Sequence, residues 1–441
     1  MAFKPLKAVT LYYVKLHRNL ADAIVATLAE IFDNNQVAER AVAASFEKHP
    51  KWGKRDRSFV AATVYEIVRW RRLLEFAAQD ESNWALLAAQ MARAEQALPD
   101  WDEFKPFNAA WLRTRLQIPE IERAVVQSIP DWIDELGERE LGERWPAEIA
   151  ALNREAPVVL RANTLKTSRD ELRARLSELG FETTLIENLP DALQLSERKA
   201  VTRTELYKAG LFEIQDAASQ MVAPFADAVS GMKVLDACAG AGGKTLHLAA
   251  QINNQGELRA LDVSESKLVE LTRRATRAGA NVSVALANEK SLKQLRGWAD
   301  RLILDMPCSG TGTLRRQPDL KWRLSPEWLE RLRVTQREIL RDYRTLVADG
   351  GEIVYATCSI LPSENGEQIA WFVGEFPEWE LREERVVSTA QTGFDGFYMA
   401  RLGRNFRQDE QDETGWVRAG KSCDEQAKDQ WNVLSSKVQF S

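Results

Sequence analysis

Histidine is scarce in this chain. Only His17, His49 and His247 occur in 441 residues, which argues against histidine-based acid–base chemistry or a histidine metal site. Cysteine is nearly as rare: Cys238, Cys308, Cys358 and Cys423. None forms a CxxC pair, so no structural zinc and no other metal is expected, and the thiols suit a reduced, cytosolic protein. No apolar run reaches the length of a membrane helix. The first residues carry neither a long apolar stretch nor a cleavage signal, so export is not expected and a cytoplasmic location is. Net positive charge is lacking too. The balance is −6, which on a global count disfavours nucleic acid, since phosphate neutralisation needs clustered Lys and Arg.

Local patches qualify that count. Basic residues gather around Arg55, around Arg69, and at Arg315, Arg316, Lys321 and Arg323. Each could be a solvated charged face. The last group directly follows a cysteine loop and is therefore the more informative.

Glycine and alternating patterns are sparse up to about residue 145. Leu20, Ile24, Leu28 and Ile31 recur at helical spacing before Asp33-Asn34-Asn35, and Phe59, Val60, Val64, Ile67 and Val68 form a second stripe after a cap at Asp56. An independent helical bundle is expected over 1–145. From Pro157 the texture changes. A strand at 158–163, a helix from Ser168 to Leu179 and a strand at 181–186 predict a small α+β subdomain over 146–225. Strands and helices then alternate over 226–403, which predicts a parallel sheet covered by helices on both faces. A helix starting at Ser325-Pro326 is expected to run to Gly350-Gly351. Residues 404–441 show mixed charge and little periodicity, and a loosely ordered tail is expected there.

Chemistry-bearing residues cluster where the predicted parallel strands end, the edge at which open α/β sheets bind ligands. One strand leads into Asp236-Ala237-Cys238-Ala239-Gly240-Ala241-Gly242-Gly243-Lys244-Thr245. This glycine turn is neither a dinucleotide fingerprint nor a P-loop, because Thr245 and Cys238 stand where those patterns need glycine. Asp236 suits a cationic ligand better than a pyrophosphate, and Asp262, ending the next strand, suits a ribose diol. Together they favour S-adenosylmethionine. Two later strands end in Asp305-Met306-Pro307-Cys308-Ser309-Gly310 and Thr357-Cys358-Ser359. Two thiols at one sheet edge suggest covalent chemistry on an electrophile.

With Arg161-Ala162-Asn163-Thr164-Leu165, Gly210 through Gln220, Glu364-Asn365 and Asp395-Gly396-Phe397, these motifs resemble the Sun (Fmu) family of RNA cytosine-5 methyltransferases. The resemblance covers about residues 155–402. The segment from Lys51 to Arg57 looks like the NusB-like helical RNA-binding domain of the B-type members, which act on small-subunit (16S) ribosomal RNA.

The resemblance implies a Rossmann-like S-adenosylmethionine-dependent methyltransferase sheet, preceded by an RNA-recognition-like α+β subdomain and an all-helical domain. It implies Cys358 as nucleophile, Cys308 as the residue that assists proton removal and release, and Asp305 at the base edge. Asp262 would bind the ribose and Asn288 the adenine edge. Ala237, Cys238, Ala239, Gly240, Gly242, Gly243, Lys244 and Asp305 would complete the cofactor site. Arg55, Arg69, Arg315, Arg316 and Lys321 would contact RNA. A monomer without membrane attachment is expected. Three departures stand out: Met306 where the family often has Ala, Asn288 where it commonly has Asp, and Gly366 after Glu364-Asn365. A transfer-RNA enzyme and a non-catalytic RNA-binding assembly factor are the alternatives. By analogy with the DNA cytosine-5 enzymes, Cys308 could instead be the nucleophile.

Overall fold

The computed structural model describes residues 16–118 and 121–405. The tail beyond residue 405, and Cys423 with it, lies outside the described residues. The chain folds as two compact units. One comprises residues up to 155 together with 313–328, and the other 156–312 together with the chain from 329 onward. Among the described residues no helix is long and apolar enough to cross a membrane.

The first unit is helical. Leu20, Ile24, Leu28 and Ile31 are all buried on the helix Arg18–Phe32. They pack with Phe59, Val60, Val64, Ile67 and Val68 of the helix Lys54–Ala78 and with Leu86 and Leu87 of the helix Asn83–Arg93. Asp56 is not the cap expected of it: the helix starts two residues earlier from extended Gly53, and Asp56 lies in its first turn, where a negative charge favours the amino-terminal dipole.

That long helix breaks at Trp70 (φ −111°, ψ 17°). The break frees two carbonyls, which the segment 313–328 satisfies. Trp322 Nε1 donates to Val68 O at 2.8 Å and Lys321 Nζ to Arg69 O at 2.7 Å, while Arg72 N turns to Ser128 Oγ. Arg69 in turn donates from Nη2 to Arg315 O at 2.9 Å. This corrects the expectation that Arg69, Arg315 and Lys321 contact RNA. All three are buried, Lys321 to 1 % exposure, and burial pushes its pKa well below the ordinary lysine value. Arg69 Nη2 and Lys321 Nζ serve backbone carbonyls of the bundle, and side chains so enclosed are not open to a phosphate. Arg55 is exposed and Arg316 half-buried.

The second unit holds two sheets. The smaller has strand order β2-β3-β1-β4, built from β1 Val159–Ala162, β2 Thr183–Leu185, β3 Ala192–Leu195 and β4 Phe212–Ile214. All its pairings are antiparallel. The helix Arg169–Glu178 packs beside it, capped by Ser168, whose Oγ accepts from Glu171 N at 3.2 Å.

The larger sheet has the order β10-β11-β9-β8-β5-β6-β7. Its strands are β5 Lys233–Asp236, β6 Glu257–Asp262, β7 Ser283–Leu286, β8 Ala299–Asp305, β9 Val347–Thr357, β10 Trp379–Val387 and β11 Phe397–Arg404. Strands β5 to β9 are parallel. Strands β10 and β11 add an antiparallel edge that the alternation of segments did not announce. Neighbouring residues of a strand face opposite layers. Leu302, Leu304, Ile353 and Tyr355 enter one core, and Ile303, Val354 and Ala356 the other, so both faces are covered, as a parallel sheet requires.

The helix expected to end at Gly350-Gly351 ends earlier, as Pro326–Tyr343. The glycines lie inside β9, where its register against β8 shifts. Gly350 has φ +79°, and a Cβ on Gly351 would lie 2.6 Å from Ala299 O. A strand irregularity, not a helix stop, explains the pair.

Candidate active site

Four strands deliver the site. Asp236, Asp262 and Asp305 are the last residues of β5, β6 and β8, and Cys358 directly follows β9. The strand order changes direction between β5 and β8, which opens the crevice at their carboxyl ends.

The glycine turn is built by two left-handed residues, Gly240 (φ +52°) and Gly242 (φ +86°). They serve different ends. A Cβ on Gly242 would lie 2.7 Å from Leu271 Cγ, so that glycine allows close packing against the helix Glu265–Ala278. Around a Cβ on Gly240 there is open space, room for a ligand to approach the backbone. Gly240 N donates to Asp262 Oδ2 and Ser264 N to Asp262 Oδ1, each at 2.8 Å. Asp262 is thereby held rigidly with acceptor capacity left over.

Asp236 is fully buried. Its Oδ2 accepts from Thr245 Oγ1 at 2.6 Å, and its Oδ1 has no hydrogen-bond partner. Burial raises its pKa to about 7, with the nearby Asp305 charge adding to the rise. The sign follows. The folded state holds this proton more tightly than the unfolded state, so wild-type stability falls as pH climbs from about 4 toward 7. Asp236→Asn removes that slope. In urea unfolding, the stability difference between variant and wild type is expected to move toward the variant by a few kcal/mol, at most, between pH 4 and pH 8. A difference independent of pH would refute the buried-carboxyl assignment.

Lys244 opens the helix Gly243–Gln251 with its first turn and reaches Asp305 Oδ2 at 2.6 Å. Burial pulls its pKa down, but the Asp305 carboxylate outweighs that and leaves it above the ordinary lysine value; the Cys358 sulfur adds to the effect. Its ammonium also lies 5.0 Å from the centre of the Phe397 ring.

Cys308 Sγ and Cys358 Sγ are 3.4 Å apart, and neither is in a disulfide. The Cys308 thiol is pushed well above its ordinary pKa, first by its hydrogen bond with Cys358 and then by burial. Cys238 also stays a thiol, because burial raises it strongly. Asn288 is exposed and caps the helix Glu289–Gln294: its Oδ1 accepts from Ser291 N at 2.9 Å. The cap leaves its amide nitrogen available.

The structure thus brings Asp236, the glycine turn, Lys244, Asp262, Asp305, Cys308 and Cys358 to one sheet edge. Two further groups carry the site and had no assigned role from sequence. Arg161 on β1 donates from Nη1 to Gly243 O at 2.9 Å, tying the small sheet to the glycine turn. Asn163 Nδ2 donates to Gly210 O and to Ala278 O, both at 2.8 Å. These contacts give the two early motifs a structural reason. Glu364 joins the two cysteine loops from below. Among the described residues no group of His, Cys, Asp and Glu is arranged to hold a metal.

The residues fit S-adenosylmethionine. An anchored carboxylate at the tip of β6 suits a ribose diol. The open backbone at Gly240 and the unpartnered Asp236 oxygen beneath the turn suit the polar, cationic end of the molecule.

Known proteins resemble this chain in sequence and in fold. Residues 225–409 match the family described as 16S rRNA methyltransferase RsmB/F, and residues 129–202 match its ferredoxin-like domain. A probable ribosomal RNA small subunit methyltransferase B from Synechocystis sp. is 36% identical over 272 residues, covering 60% of this chain and 60% of its own length. The ribosomal RNA small subunit methyltransferase B of Klebsiella pneumoniae is 34% identical over 282 residues, or 62% of this chain and 65% of its own. The match therefore spans less than two thirds of either relative. Among solved structures, PH0851 superposes with a TM-score of 0.75 at 23% identity over 89% of this chain and 100% of its own. A methyltransferase homolog from Pyrococcus horikoshii gives 0.57 at 26% identity over 64% and 98%. NSun6 from the same organism, solved with the S-adenosylmethionine analogue SFG, gives 0.58 at 19% over 62% and 98%. Residues 225–409, which hold every thiol and carboxylate of the site, are thus similar to the RsmB/F methyltransferases, and the likeness agrees with S-adenosylmethionine as the cofactor.

Proposed function

We propose that this protein methylates carbon 5 of a cytosine in small-subunit ribosomal RNA through a covalent adduct on Cys358. One observation carries the reading: two thiols 3.4 Å apart stand at the same sheet edge as the Lys244–Asp305 pair and the glycine turn. S-adenosylmethionine, when bound, supplies the methyl group.

The residues divide the work. Carbon 5 of cytosine is a poor nucleophile, and addition of the Cys358 sulfur to carbon 6 turns it into an enamine carbon that can take a methyl group. Cys308, whose thiol is pushed well above its ordinary pKa, holds its proton in the resting site beside the Cys358 sulfur. Asp305 is fixed at Oδ2 by Lys244, so Oδ1 can meet the amino edge of the base. The ammonium behind it stabilises the charge that thiolate addition drives onto the ring nitrogen. Once Cys358 is bonded to carbon, the hydrogen bond that most raised Cys308 is gone. Its pKa then falls, so its own proton can pass to water and the resulting Cys308 thiolate can take the carbon 5 proton. Loss of that proton restores the ring double bond and expels the Cys358 thiolate.

The base must be unpaired or flipped out to reach this edge. Arg55 and Arg316 stay candidates for phosphate contacts, whereas the buried Arg69, Arg315 and Lys321 do not.

Bisulfite sequencing of ribosomal and transfer RNA from cells with and without the gene tests the reading. Loss of one 5-methylcytosine in small-subunit RNA is expected. A loss confined to transfer RNA would keep the chemistry and overturn the substrate. No change in either would favour an RNA-binding assembly factor.

A further inference from the structure

Glu364 is a carboxylate at 0% exposure with four side-chain hydrogen bonds, none of them to a cationic group among the described residues. Its Oε1 accepts from Ser309 N at 2.8 Å and from Gln336 Nε2 at 3.1 Å. Its Oε2 accepts from Ser309 Oγ at 2.5 Å and from Ser359 Oγ at 2.6 Å. Ser309 directly follows Cys308, and Ser359 directly follows Cys358. One rigid group therefore grips the residue next to each thiol. Around it, Thr311 Oγ1 lies 3.1 Å from Ser359 Oγ, and Gln336 Nε2 also donates to Pro307 O at 2.9 Å. The chain returns to the same place: Tyr355 OH donates to Glu364 O, and Thr357 Oγ1 to Asn365 Oδ1, each at 2.5 Å.

Burying a carboxylate without a cation costs several kcal/mol before hydrogen bonding offsets it. An apolar residue would hold a merely structural junction at lower cost. A planar acceptor with four lone-pair sites is what holding two loops in register demands. We infer that Glu364 is a positioning residue that sets the distance between the Cys308 and Cys358 sulfurs, acting through Ser309 and Ser359. This rests on the reading that the two thiols work as a pair.

The test uses the full-length protein and two readouts. The first needs no RNA. Diamide oxidises the thiol pair: two S–H bonds break, one S–S bond forms, and two protons and two electrons pass to the azo bond, giving the hydrazine. Mass spectrometry of the Cys308–Cys358 peptide pair follows closure. Glu364→Ala is expected to slow closure about tenfold, because the thiols lose their imposed proximity. Glu364→Gln should stay within about threefold of wild type, since the two serine hydroxyls can rotate to accept from the amide. The second readout is methyl transfer. Glu364→Ala should lower kcat about 100-fold with KM for RNA and cofactor nearly unchanged, and Glu364→Gln should restore most of it. Closure at the wild-type rate in Glu364→Ala overturns the proposal, whatever happens to activity. If Glu364→Ala does not fold, Ser359→Ala, which removes one grip, should slow closure about threefold; closure at the wild-type rate there overturns it equally. Slowed closure in a protein whose wild type methylates no RNA would sink the methyltransfer reading and leave the positioning role standing.

Discussion

Cys308→Ala is expected to accumulate a covalent RNA–protein adduct, and Cys358→Ala to form none. The asymmetry follows from the division of labour proposed for the sulfur pair. Without Cys358 there is no attack on carbon 6, and turnover should drop by about 10⁴-fold or more, the scale of losing a covalent nucleophile. Without Cys308 the attack and the methyl transfer still proceed, but proton removal slows by about 10² to 10⁴, the usual worth of a positioned base. The intermediate is then trapped and migrates as a heavier band on a denaturing gel. An adduct in Cys358→Ala instead, with none in Cys308→Ala, would reverse the assignment and make Cys308 the nucleophile.

A second large effect is expected from one methyl group. Gly312 lies where three loops of the site meet. Gly312 N donates to Cys358 O, and Gly396 N to Gly312 O, both at 2.9 Å. A Cβ on Gly312 would lie 2.0 Å from Gly396 O and 2.8 Å from Cys358 O. Both obstacles are backbone, so no side chain can swing aside. Gly312→Ala should therefore lose about 3 kcal/mol of stability in urea unfolding, at the upper end of overpacking costs. It should also lower methyl transfer about 100-fold, because the Cys358 loop must shift by the ångström that misplaces a nucleophile. Gly240→Ala is the control. Its Cβ would enter open space, and only the left-handed backbone is strained, so about 1 kcal/mol is expected. Equal losses of stability for the two variants would refute the three-loop junction.

Local patterns foresaw that these residues share one sheet edge because each parallel strand is a short apolar run that stops at a polar motif. Asp236, Asp262, Asp305 and Cys358 mark those stops, and a parallel sheet places all such stops on one edge. The helical stripe through Leu20, Ile24, Leu28 and Ile31 was legible for a similar reason: burial on one face imposes its own period. The failures share a cause as well. Gly350-Gly351 carries the same local signal at a helix end as at a strand irregularity, and only pairing with β8 separates the two. The antiparallel β10 and β11 carry no period that distinguishes them from covering segments.

Charge misled most. Arg69, Arg315 and Lys321 lie in two basic patches of the sequence, yet all three are buried, and Arg69 and Lys321 donate to backbone carbonyls. A side chain's charge is local, but its exposure depends on residues far away in the chain, 252 positions in the case of Lys321 on Arg69 O. Glu364 is the converse case. Its four bonds reach Ser309, Gln336 and Ser359, and no spacing rule joins those positions. By itself, then, the sequence determined the strand ends, the glycine turn and which thiols and carboxylates the site would hold, since these depend on short-range period and turn chemistry. Only the tertiary structure decided the 3.4 Å between the sulfurs, the pairing of Lys244 with Asp305 and the burial of Arg69, Arg315 and Lys321. Each is set by contacts between segments far apart in the chain.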